Sequence, residues 1–206
     1  MKPTRPVTYL ITGGKLTQEN FASEADRFID RLLAAAADGV DVIQIREKAL
    51  SARKLYELAS RIIEKLRGAE TKILLNDRAD IAAASRCDGV HLTTASLPIA
   101  TARRIVGKGA LISCSTHSIE DVERAGVAGA DIILFGPVFA SPGKGRPVGL
   151  EKLSEAVGAA RGSALFALGG IDEQNFQYAL NTGAAGVAAI RSLNDARTRR
   201  TIIGEL

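Results

Sequence analysis

The sequence predicts an α/β fold, a single closed (β/α)8 TIM barrel spanning residues 1–206 as one domain. Three observations lead there. Short runs of branched apolar residues alternate with stretches whose apolar residues recur at helical spacing, and eight such units follow one another along the chain. At 206 residues the chain is short for eight units in an open sheet but suits a compact barrel closed by right-handed crossovers. Polar residues and glycines collect where strands hand over to helices, the rim on which such barrels carry their sites. A doubly wound sheet is the alternative, and it would normally use fewer strands for this length.

The first strand is expected over 6–12, ended by Gly13-Gly14, and 18–38 carries Phe21, Ala25, Phe28, Ile29, Leu32 and Leu33 at helical spacing. A strand over 40–45 leads to a helix over 51–66, with Ser51 as its cap and Gly68 near its end. Strand 72–75 precedes a short helix over 79–85, and strand 89–92 precedes a helix over 98–106 with Pro98 in its first turn. Strand 111–115, helix 119–128 and strand 131–135 follow. The glycine- and proline-rich stretch 136–148 is too long to be a mere connector. Helix 150–161, strand 164–168, helix 173–181, strand 186–190 and a last helix from about 195 complete the series.

Composition narrows the function classes. No run approaches the ~18 consecutive apolar residues of a membrane span. The opening residues lead straight into the first β-like run without the long apolar stretch of a secretory leader, so a cytoplasmic protein is expected. Cys87 and Cys114 have neither CxxC spacing nor neighbouring ligands, and buried free thiols are expected. The net charge is +4, but the basic residues are dispersed and only 4% of residues are aromatic. Small anionic ligands fit this better than nucleic acid or a membrane.

The most informative stretch is Gln44-Ile45-Arg46-Glu47-Lys48 at the end of the second strand. Strand side chains repeat every second residue, so Gln44, Arg46 and Lys48 share one face and form a cationic, hydrogen-bonding claw. A solvated strand edge is the plainer reading. At the third strand end, Asp77 of Asn76-Asp77-Arg78 could ligate Mg²⁺ or cap the helix that follows. Gly169-Gly170 after strand seven and Ile190-Arg191-Ser192 after strand eight suit a phosphate cradle of bare backbone N–H groups, with a tight turn as the alternative. His117 suits a general acid or base, or a structural hydrogen bond. His91 reads as a structural residue anchored between strands.

Together these residues resemble the thiamine phosphate synthase/TenI family over nearly the whole chain. The resemblance is carried by Gln44-Ile45-Arg46-Glu47-Lys48, Asn76-Asp77-Arg78, Asp88-Gly89-Val90-His91-Leu92 and Ser115-Thr116-His117-Ser118. Gly136-Pro137-Val138-Phe139, Lys144 with Gly149-Leu150 after it, Gly169-Gly170-Ile171 and Gly186-Val187-Ala188 extend it. It implies that Gln44, Arg46, Lys48, Asn76, Ser115 and Lys144 hold an aminopyrimidine diphosphate and that Asp77 binds Mg²⁺. It also implies that Ser141, Gly143, Gly169, Gly170, Ile190 and Arg191 hold a thiazole phosphate, and that Lys48, Lys144 and His117 take part in catalysis. The product would be thiamine phosphate, from small phosphorylated substrates, in a chain for which a homodimer is compatible with the family.

Three departures mark this chain. Where synthases carry a second acidic magnesium ligand, the sequence reads Thr93-Thr94-Ala95-Ser96-Leu97; Ser141-Pro142-Gly143 stands where threonines are usual; and Arg191 replaces a serine. Ser96 offers a neutral oxygen without charge. The stretch from Thr94 to Ser96 resembles the TenI branch, whose thiazole tautomerases need no metal and use a histidine at the position of His117. A synthase is the leading expectation, a tautomerase the alternative, and a non-catalytic phosphate-ligand binder the third reading.

Overall fold

The computed structural model describes residues 5–206. Its eight strands are β1 (Val7–Ile11), β2 (Val42–Ile45), β3 (Lys72–Asn76), β4 (Gly89–Leu92), β5 (Leu111–Thr116), β6 (Ile132–Phe135), β7 (Ala164–Leu168) and β8 (Gly186–Ala189). They pair in sequence order and all in parallel, and β8 returns to β1 to close the barrel through Val7↔Gly186 and Leu10↔Ala189. Parallel strands need a crossover of a dozen or so residues between them. The crossovers are α1 (Phe21–Ala37), α2 (Ala52–Lys65), α3 (Ala79–Ala84), α4 (Ile99–Val106), α5 (Ile119–Val127), α6 (Gly149–Ala159) and α7 (Phe176–Leu180). After β8 come α8 (Arg191–Asn194) and α9 (Ala196–Gly204).

Alternation along each strand builds two cores. Ile43, Leu75, Val90, Ile133 and Val187 face outward and pack under the helices with Phe28, Leu58, Ala102 and Leu153. Tyr9, Leu74, Leu134, Phe166 and Ala188 fill the barrel interior, with Tyr9 and Phe166 edge to face at 6.0 Å. At the bottom of the barrel one device recurs. A carboxylate ahead of a strand accepts the first free N–H of its neighbour: Asp41 from Thr8, Asp88 from Ile73 and Asp131 from Ile112. These aspartates occupy the donors that a parallel ladder leaves unpaired at its end.

Helix ends follow local chemistry. Ser51, Ser118 and Asp195 each accept an N–H three residues on, from Lys54, Asp121 and Thr198, as N-caps do. Pro98 is itself the cap position of α4 and precedes the first helical turn. The seventh helix starts at Phe176, later than 173, because Asn175 Oδ1 accepts the Asp172 N–H and Asp172 Oδ1 accepts from Gln174, which holds 172–175 as a turn. The short α8 is an additional element, separated from α9 by Asp195 in an extended conformation. Cys114 is buried and Cys87 half-buried, both free. No helix among the described residues is long and apolar enough to cross a membrane.

The last helix is tied to the first by a buried charge. Arg199, 4% exposed, donates from Nε and Nη2 to Asp38 Oδ2 and from Nη1 to the Leu193 carbonyl, and Arg200 donates to Asp38 Oδ1. Burial disfavours the Asp38 carboxylate, but the hydrogen bonds from Arg199 and Arg200 outweigh it and hold its carboxyl below the ordinary value. Removing one partner would strand the other charge in a dry site. Asp38→Ala is therefore expected to cost about 3 kcal/mol in urea denaturation. In the wild type the pair's contribution is fully present above the ordinary carboxylate range and is lost as pH falls through the lowered Asp38 value.

Candidate active site

A cavity of about 540 Å³ opens at the carboxyl-terminal ends of the strands. Ile11 and Leu168 line its apolar part, while Gln44, Asn76, His91 and Ser115 enter from β2, β3, β4 and β5. Arg46, Lys48, Lys144 and Arg191 also line it, and among the described residues no aspartate or glutamate does. Four cations without a carboxylate among them make the cavity a site for anions, because gathered like charges repel unless a counter-charge arrives.

The claw forms as its alternation requires, with one difference. β2 ends at Ile45, so Arg46 and Lys48 are carried by the following loop, yet both line the cavity with Gln44. The three are graded from floor to rim: Gln44 is buried, Arg46 half-buried and Lys48 exposed. Between them Glu47 turns the other way and is 2% exposed. Its carboxylate accepts from Thr12 Oγ1 at 2.7 Å, Gly14 N at 3.1 Å and Leu16 N at 2.7 Å, while Thr12 Oγ1 accepts from the Arg46 N–H at 2.7 Å. Glu47 thus straps the loop after β1 to the claw. The signal was present in the sequence: an acid between two same-face cations must face away from them.

On the floor, Gln44 Nε2 donates to Asn76 Oδ1 at 2.9 Å. Gln44 Oε1 is buried without any partner among the described residues. Such an orphaned acceptor costs about 1–3 kcal/mol unless a ligand donor satisfies it. His91, as expected, is held between strands: Nδ1 lies 2.9 Å from Ser113 Oγ and Nε2 2.9 Å from Ser115 Oγ. Burial first, and the Arg46 charge second, push its pKa down to about 3. His117 Nδ1 donates to the Gly136 carbonyl at 2.6 Å, which leaves Nε2 as the ring's lone-pair nitrogen in a residue that lines the cavity. Its orienting partner is a backbone carbonyl, which no acid-seeking search of the sequence would find.

Asp77 is placed differently from its neighbours. It is exposed, it does not line the cavity, and its carboxylate makes no hydrogen bond to the described residues. The helix-cap reading fails, since Arg78 holds the cap position of α3 without a side-chain cap. Its backbone sits at φ 68°, a left-handed conformation that costs a non-glycine residue about 1 kcal/mol and tends to persist at functional rims. Its N–H donates to the His91 carbonyl at 2.7 Å, which pins it beside the mouth. The Ser96 oxygen is also occupied, accepting from Thr93 N at 2.8 Å and lying 3.0 Å from Thr93 Oγ1. Among the described residues no group of three or more His, Cys, Asp or Glu could cage a metal.

The far wall is the loop after β6. Ser141, Pro142 and Lys144 line the cavity, whereas Gly143 between them does not. Gly169 and Gly170 have φ of 97° and 67°, and a Cβ on them would meet Pro137 at 2.6 Å and the Ala140 carbonyl at 2.5 Å. The pair is thus required by the close passage of this loop as well as by its turn, and a phosphate is not needed to explain it. Both still line the cavity, as do Ile190 and Arg191 at the start of α8 after the neighbouring strand.

A (β/α)8 barrel whose rim gathers glycines, cations and a short extra helix after β8 defines an enzyme class that acts on small phosphorylated molecules. Residues 8–193 match the profile of the thiamine monophosphate synthase family, to which the chain belongs. It is 44% identical over 162 residues to the putative thiamine-phosphate synthase of Geobacter sulfurreducens, covering 77% of this chain and 76% of the relative. The thiamine-phosphate synthase of Haloarcula marismortui is 36% identical over 195 residues, 91% of this chain and 89% of that one. The solved thiamine phosphate pyrophosphorylase of Pyrococcus furiosus superposes with a TM-score of 0.82 at 28% identity, covering 97% and 96% of the two chains.

One pH dependence follows from the buried ring. His91 binds its proton far less readily folded than unfolded, so its contribution is complete above its ordinary value of 6.5 and is lost as pH falls toward about 3. The urea midpoint of the wild type should drop more steeply below pH 6.5 than that of His91→Gln, which has no ring to protonate. Parallel pH profiles would contradict the buried neutral imidazole.

Proposed function

We propose that this chain, acting as one barrel domain over 1–206, joins hydroxymethylpyrimidine diphosphate to a thiazole phosphate, giving thiamine phosphate and diphosphate. The observation that carries the reading is the floor of the cavity. The orphaned Gln44 Oε1 would accept from the pyrimidine amino group, and Asn76, held by Gln44, would present its amide to a ring nitrogen. Arg46, Lys48, Lys144 and Ser115 would then surround the diphosphate. As the carbon–oxygen bond breaks, its electron pair leaves with the diphosphate, and these groups stabilise the growing charge without having to reorganise. The thiazole nitrogen lone pair forms the new carbon–nitrogen bond, and no proton transfer is required in that step.

The thiazole phosphate would sit against Ser141, Gly143, Gly169, Gly170, Ile190 and Arg191. Magnesium fits this site only as an ion shared with the substrate: Asp77 would supply one carboxylate and the diphosphate the remaining oxygens, as is common for this ion. Bound so, it would neutralise charge on the leaving group. The unpartnered Asp77 carboxylate and its strained backbone support that role. A cytoplasmic location is part of the same reading.

One observation favours the tautomerase as a second reading. Ser96 is turned into its own loop, and His117, with Nδ1–H fixed, would keep Nε2 free to move a proton. The two are separated by supplying purified protein with each substrate set. Thiamine phosphate formed from the pyrimidine diphosphate, thiazole phosphate and Mg²⁺ supports the synthase, whereas isomerisation of a thiazole carboxylate phosphate that is abolished by His117→Ala supports the tautomerase. No thiamine phosphate above background, beside an active control enzyme, sinks the first reading. Within the synthase, Lys144→Ala is expected to lower kcat about 10²-fold. Gln44→Leu should act mainly through KM for the pyrimidine substrate.

A further inference from the structure

Beneath the anion site lies a buried polar chain that the proposed reaction leaves without a task. Tyr9 and Ser113 are fully buried and His91 is 3% exposed. His91 Nδ1 lies 2.9 Å from Ser113 Oγ and 3.4 Å from the Tyr9 hydroxyl. On the other side of the ring, Nε2 lies 2.9 Å from Ser115 Oγ, and Ser115 lines the cavity.

We infer that this chain sets the direction of the Ser115 hydroxyl, making Ser115 a preorganised donor into the anion site with His91 as its positioning residue. The argument is a count of protons. If Nδ1 is bare, it accepts the proton of Ser113, or that of Tyr9, and one hydroxyl proton is left over. If Nδ1 carries the proton, it takes an oxygen lone pair, and two hydroxyl protons remain. Neither hydroxyl has a further acceptor among the described residues. One more proton would then be buried unpaired than with Nδ1 bare, a larger cost than the small intrinsic difference between imidazole tautomers.

The proton of the neutral ring therefore sits on Nε2 and is donated to Ser115 Oγ. With that lone pair engaged, the Ser115 proton is turned away from the ring, and Ser115 Oγ has no other partner among the described residues. A phosphate offers only acceptor oxygens. A serine that spent its proton on the imidazole would present lone pairs to those oxygens and repel them, so the direction of this one bond decides whether Ser115 helps or hinders. Tyr9, on β1 at the opposite side of the barrel interior from Ser115's own strand, thereby influences the site without touching a ligand.

The inference rests on the anion reading of the cavity, and its test separates the two. The full-length chain, labelled with ¹⁵N and containing only His91 and His117, is recorded at neutral pH, with His117→Asn used to assign the signals. His91 should show a pyridine-type Nδ1 and a pyrrole-type Nε2; the reverse pattern, or an average of both, overturns the wiring. By calorimetry with inorganic diphosphate, Ser115→Ala should bind roughly tenfold more weakly than wild type. His91→Leu should match that loss and add nothing to it in the double variant. His91→Gln, which can accept from Ser113 and donate to Ser115, should stay within about threefold of wild type, a rescue that a purely space-filling role would not produce. Equal binding by wild type and Ser115→Ala overturns the donor role. Should the His91 variants fail to fold, the wild-type nitrogen spectrum and Ser115→Ala decide alone. A wild type that binds no diphosphate removes the anion reading and the donor's purpose together, while the nitrogen spectrum still judges the direction of the chain.

Discussion

Closure of the sheet is the constraint on which the rest depends. Eight short parallel strands cannot bury both faces in an open sheet of this size, but joined edge to edge through β1 and β8 they leave no unpaired strand. Closure fills the interior with Tyr9, Leu74, Leu134 and Phe166, and it brings every strand end to one rim. Residues as far apart in sequence as Gln44 and Arg191 become walls of one cavity only because of that. The aspartates at the opposite end of the barrel secure the ladder there, in keeping with the usual division between a stabilising bottom and a working top.

Charge is kept at the rim by the same geometry. Arg46 and Lys48 face the cavity while Glu47, one position between them, is turned outward and saturated by three donors. A carboxylate so held cannot collapse onto the cations and cancel them. The claw therefore stays uncompensated until an anion arrives, and the cost of holding it apart is met by Glu47's own hydrogen bonds and by the packing of the loop after β1. The floor follows a similar logic, since Gln44 and Asn76 satisfy each other only partly and leave one acceptor for a ligand.

How much of this could be read from residues varies with the range of the interaction. Gln44, Arg46 and Lys48 were legible because period-two alternation is local, and Ser51 because caps act within three residues. Asp77 and Gly143 illustrate the limit: both lie at the expected strand end or loop, yet neither lines the cavity. The glycine pair after β7 was placed correctly, but its need for glycine comes from the passage of Pro137 and Ala140, which sequence distance hides. His91 was read as structural, and it is, but its partners Tyr9, Ser113 and Ser115 come from β1 and β5.

The amino-acid sequence by itself determined the alternation of strand and helix, the family, and the set of polar residues that end the strands. Those follow from periodicities of two and 3.6 residues and from motifs whose members are close along the chain. Tertiary structure alone decided which of those residues meet, which way each carboxylate turns, and which protons find acceptors. Those outcomes depend on closure of the barrel and on the satisfaction of buried donors and acceptors, neither of which is a property of any single stretch. The claw itself is local; the strap of Glu47 behind it and the imidazole beneath the anion site are not.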